Sequence, residues 1–156
     1  LAQQLKKVAT FIGSGLKTRI YYVSMGGFDT HVGQLNRQQT LLKQFSESVT
    51  AFINNLKSLK RLDDTLVMSF SEFGRRVEQN ASNGTDHGTA NNVFVFGNKL
   101  KKQGFYNAMP NLTDLAEGDL KYEIDFRNVY ATLLNNWLKV KDDKILNKDF
   151  AGLDFI

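Results

Sequence analysis

The chain has 156 residues, no cysteine and one proline, with 42% hydrophobic residues including 12 phenylalanines. A length of roughly 100–200 residues fits one domain, the missing cysteines exclude a disulfide framework, and no apolar run reaches the ~18 residues of a membrane-spanning helix. The net charge of +4 is scattered, and its densest run, Lys99-Leu100-Lys101-Lys102, is too short for the clustered basic patch that nucleic acid requires. Such a surface favours anionic small molecules.

Residues 1–16 place Leu5, Val8, Ala9, Ile12 and Leu16 at helical spacing, and glycines 13 and 15 mark the helix end. "TRIYYVSM" follows, β-branched and aromatic, and predicts a buried strand. It runs into Gly26-Gly27 and then into Asp29-Thr30-His31. A long helix is expected from about 34 to 60, with Leu42, Phe45, Val49, Phe52, Ile53, Leu56 and Leu59 on one face. A second strand, "TLVMSFS", leads into "EFGRR"; residues 77–92 read as a loop that ends in a third strand, "VFVFG". Residues 98–122 read as irregular or hairpin structure. Asp125 then predicts an N-cap for a helix carrying Phe126, Val129, Tyr130, Leu133, Leu134, Trp137 and Leu138.

This alternation of helices with unbroken apolar strands predicts an α/β layer fold with a mostly parallel sheet. Ligands of such sheets bind beyond the carboxyl ends of the strands, and two of the polar clusters fall there. The residues able to bind a metal or move a proton in these clusters are Asp29, His31, Glu72, Asp86 and His87, and both histidines of the chain are among them. Imidazole with carboxylate suits zinc, manganese or iron, whereas all-oxygen sets suit calcium or magnesium. Taken singly, Asp29 also reads as a helix cap, Asp86 as an Asx-turn, and each histidine as a satisfied surface or core residue. Their convergence on strand ends favours a site.

Arg75 and Arg76 offer planar forks for phosphate, sulfate or carboxylate, or else structural ion pairs. Ser24, Ser69 and Ser71 lack a G-x-S-x-G elbow, and Gly13-Ser14-Gly15 lacks the context of a dinucleotide fingerprint. Asp142, Asp143 and Asp149 lack the spacing of a calcium-binding helix-loop-helix. The triplets at Asn80, Asn83 and Asn111 match a glycosylation pattern by frequency alone.

"GGFDTH", a long helix, "SEFGRR", "NGTDHGTA" and "VFVFG", in this order, resemble a large bacterial family, the domain of unknown function 1501 family. It is placed in the alkaline-phosphatase-like superfamily with the sulfatases. The resemblance spans nearly the whole chain. It implies a three-layer α/β/α sandwich with one or two divalent metals at strand ends, zinc, manganese or calcium. Asp29 and His31 look like a shortened Asp-x-x-x-His element, Glu72 stands where an Asp-His pair is usual, and His87 with Asp86 looks like the later histidine element. Arg75 becomes the anion clamp. The superfamily's nucleophile comes from an N-terminal strand, so residues 1–156 are expected to be the C-terminal portion of such a domain. The function implied is metal-dependent hydrolysis of phosphate or sulfate esters, on small molecules or glycans. The alternative is a non-catalytic binding domain at the cell surface. Family members are commonly exported, which implies a periplasmic or extracytoplasmic place.

Overall fold

A computed structural model describes residues 1–101 and 103–156. Lys102, the last residue of the basic run, lies outside the described residues. Helix α1 spans Ala2–Gly13 and α2 spans Gln34–Ser58. Strands follow at β1 (Val67–Ser69), β2 (Gly74–Arg75), β3 (His87–Gly88), β4 (Phe94–Phe96), β5 (Leu115–Ala116) and β6 (Asp119–Leu120). Helix α3 covers Phe126–Thr132 and continues as a π-helical turn over Leu133–Leu138, and α4 spans Asp143–Leu146. No described helix is long and apolar enough to cross a membrane.

The helices form where the apolar spacing asks for them. Leu5, Val8 and Ala9 of α1 meet Val49, Phe52 and Leu56 of α2, and Leu62 closes this core. Tyr21, Val23, Val67 and Phe96 pack against it from the side. Each fully buried apolar side chain of this size contributes roughly 1.5–3 kcal/mol. Helix α2 stops in a Schellman turn: Arg61 N–H donates to the Leu56 carbonyl at 2.9 Å and Lys60 N–H to Lys57 at 3.0 Å, with Lys60 left-handed at φ 55. Asp125 caps α3 as expected, its carboxylate accepting the Arg127 N–H at 2.8 Å.

The expected three-layer α/β/α sandwich with a mostly parallel sheet does not form. Among the described residues strand makes up 9%, in three separate two-stranded sheets, all antiparallel. Val67 faces Phe96 and Ser69 faces Phe94 across β1 and β4. A parallel return needs a long crossover, usually helical, and residues 70–93 between these strands contain none. The stretch "TRIYYVSM" belongs to no helix and to no sheet. Its composition favours extended backbone, while a strand also needs a neighbour to complete the ladder.

Candidate metal centre

The three motifs meet through backbone and amide hydrogen bonds. β2 carries Gly74 and Arg75 from "SEFGRR" and pairs with β3, so that Arg75 faces His87; Arg76 N–H donates to the Asp86 carbonyl at 3.1 Å. The loop between them is organised by Asn80. Its Oδ1 accepts the backbone N–H groups of Ser82 and Gly84, at 2.9 and 3.1 Å. Its Nδ2 donates to the His31 carbonyl at 3.1 Å and to Asp86 Oδ1 at 3.3 Å.

"GGFDTH" docks on the same loop. The first amides of α2 find their acceptors there: Gly33 N–H donates to Ser82 and Gln34 N–H to Asn83, at 3.0 and 2.8 Å. This is how the helix start satisfies donors that have no partner within the helix. Arg75 Nη1 donates to the Thr85 carbonyl at 2.6 Å and Nη2 to the Phe28 carbonyl, so one guanidinium staples two of the motifs. Gly84 lets the strands of loop approach: a Cβ there would collide with the His31 carbonyl group.

These contacts bring Asp29, His31 and His87 to one point. Asp29 Oδ1 lies 2.9 Å from His31 Nε2 and 2.7 Å from His87 Nε2. One ligand atom from each residue falls within 4.8 Å of the other two. The imidazoles lie 4.9 Å apart, and His87 stacks on Phe73 at 4.0 Å and 11°. Both histidine side chains are about half exposed, at 43% and 49%, so the cluster opens to solvent and to any ligand. The hydrogen bond from His87 holds the Asp29 carboxyl below its usual range, with His31, His87 and Arg75 adding attraction; Arg75 Nη2 stands 3.6 Å away.

Asp86 stands behind His31, its Oδ1 at 3.2 Å from Nδ1. The Asn80 amide, then His31, hold its carboxyl below the usual range. A carboxylate on the far nitrogen orients an imidazole and leaves Nε2 for a metal. Glu72 is exposed and outside the cluster; its charge reinforces the effect of burial in raising the Tyr130 phenol. Of the five residues singled out as ligands, three converge, one lies behind them and one lies apart. Arg75 is beside the cluster with two of its N–H groups engaged on carbonyls. Asn80 and Phe73 escaped the sequence reading. Asn80 lies in a glycosylation-like triplet, and Phe73 offered no signal beyond its place between Glu72 and Gly74.

The donor set fits a borderline divalent ion. Two imidazoles and one carboxylate suit zinc or manganese better than calcium, which takes six to eight oxygens. Three such donors on open loops would hold an ion with positions left over, as catalytic sites with three protein ligands do.

The site therefore defines a loop-built histidine–carboxylate cluster on an α-helical scaffold. A family model described as "Protein of unknown function (DUF1501)" matches residues 12–155, and the chain belongs to that family. No curated protein and no solved structure matches the chain.

Proposed function

We propose that this domain holds a divalent metal through Asp29, His31 and His87 and takes part in hydrolysis of phosphate or sulfate esters. The observation that carries this reading is the convergence of the two histidines and Asp29 from motifs 58 residues apart in sequence. When bound, such an ion polarises an ester oxygen and stabilises the charge that builds on it. The chain's own residues prepare the place. Asp86 fixes the His31 ring from behind, Phe73 fixes the plane of His87, and Arg75 holds the carbonyls of Phe28 and Thr85 that carry the loops. Arg75 also keeps a positive charge beside the opening, which draws an anionic ester even though two of its N–H groups are engaged.

Metal analysis of the protein after exhaustive dialysis against zinc or manganese tests the ligand set. Near-stoichiometric metal is expected, with loss in both His31→Ala and His87→Ala and little change in Glu72→Ala. Stoichiometric metal surviving both histidine substitutions overturns the assignment. Turnover of para-nitrophenyl phosphate or sulfate by metal-loaded protein, abolished in the same two variants, tests the reaction class separately.

A further inference from the structure

The loop that gathers the cluster contains the chain's one Asn-Gly pair, Asn83-Gly84. Before glycine, an asparagine side-chain amide lies within reach of the next backbone nitrogen, and no side chain stands in the way. Asn83 is exposed and left-handed at φ 57, whereas Gly84 is buried. The peptide unit that joins them is pinned at both ends. Its carbonyl accepts the Gln34 N–H at 2.8 Å, and its N–H donates to Asn80 Oδ1 at 3.1 Å. The side-chain amide is held as well, since Asn83 Oδ1 accepts from Gln79 Nε2 at 3.1 Å.

We propose that Asn83 is a site of spontaneous deamidation, held latent by these bonds, whose reaction takes the histidine–carboxylate cluster apart. In the first step the Gly84 backbone nitrogen attacks Asn83 Cγ. The N–Cγ bond forms, the Cγ–Nδ2 bond breaks, and the proton of the Gly84 N–H passes through water to the leaving group, which departs as ammonia. Water then opens the five-membered imide. Cleavage of the nitrogen's bond to Cγ leaves aspartate at 83. Cleavage of its bond to the backbone carbonyl carbon leaves isoaspartate, with the chain now running through Cβ and Cγ. Nothing is oxidised or reduced, and water is the one co-reactant. Closing the imide ring swings the Asn83–Gly84 peptide plane, so its bonds to Gln34 and Asn80 must open first. The rate therefore follows local opening of this loop. The isoaspartyl product does not fit back. It lengthens the backbone where there is no slack, because even a Cβ on Gly84 would collide with the His31 carbonyl group. The Asn83 carbonyl then leaves the Gln34 N–H, the neighbouring bond from Gly33 N–H to Ser82 goes with it, and the loop releases "GGFDTH" and the start of α2.

The test incubates the folded protein and a synthetic peptide of residues 77–88 in the same mildly alkaline buffer. Replacement of ammonia by water at Asn83 is followed by mass spectrometry, and isoaspartate by enzymatic methyl labelling. The folded protein is expected to react roughly tenfold or more slowly than the peptide. Asn80→Ala, shown to be folded by a cooperative urea transition, should move the rate toward that of the peptide, with hydrogen exchange at the Gly84 amide speeding up alongside. Should Asn80→Ala not fold, the intact protein in urea below its unfolding midpoint takes its place, and the two rates should again rise together. In the isoaspartyl fraction the Gly33 and Gln34 amides should lose their protection from exchange. A folded protein that deamidates as fast as the peptide overturns the proposal. So does a rate at Asn83 that stays slow while Gly84 exchange quickens, and so does isoaspartyl protein with Gly33 and Gln34 still protected.

Discussion

Asn80 shows how much one amide does at the scale of a residue. Two of its bonds shape the 80–84 turn, one holds the His31 carbonyl and one steadies Asp86. Asn80→Ala removes all four and leaves their partners unpaired, so a loss of about 1–3 kcal/mol is expected in urea unfolding. Metal affinity should fall with it, because both groups behind His31 lose their support. Asp125 makes a prediction about acid. Its carboxyl is lowered to about 2 from 3.8 by the Arg127 side chain, with the capping N–H helping. A carboxylate depressed on folding stabilises fully above its unfolded value and loses that contribution as pH falls through the folded value. The Tm difference between the protein and Asp125→Asn should therefore hold at pH 5 and shrink between pH 4 and about 2. A difference that grows on acidification contradicts this account.

At the scale of the element, chain ends and turns carry the information. The middle of the apolar face of α2 was legible from spacing, since Val49, Phe52 and Leu56 are buried where period 3.6 puts them, whereas Leu42 and Leu59, expected on the same face, are exposed. Its stop was less so, because the left-handed position of the Schellman turn holds Lys60 where glycine is usual. Lys60→Gly relieves that strain without touching the core and should stabilise the fold by about 0.5–1 kcal/mol, read as a shift in urea midpoint at constant slope. The strands were harder to read. "TLVMSFS" and "VFVFG" do contain β1 and β4, but each contributes three paired residues and their direction is antiparallel. Residue type predicts extension; direction comes from the connection, and here that connection is a site loop instead of a helix.

For the whole molecule, the apolar core and the histidine–carboxylate cluster are different places. The α1–α2 core, with Leu56 fully buried at its centre, holds the platform from which α2 reaches toward the cluster. Leu56→Ala should cost about 2–5 kcal/mol in chemical unfolding, the range for a buried leucine that leaves a cavity. The cluster itself rests on hydrogen bonds among exposed loops. Saturating zinc should raise Tm, and Glu72→Ala should leave that shift unchanged.

Composition, helical spacing and turn chemistry were enough to place both long helices, the Asp125 cap and the polar loops, because each depends on contacts within a few residues. They also identified the residues of the cluster, since a chain with two histidines has few ways to build such a site. Tertiary structure decided the rest. It alone separated Asp29, His31 and His87 from Asp86 and Glu72, turned Arg75 into a staple between loops, and left residues 18–25 outside any sheet. These outcomes depend on partners 40 to 60 residues away or on neighbours outside the segment, and a local pattern of residues holds no record of either.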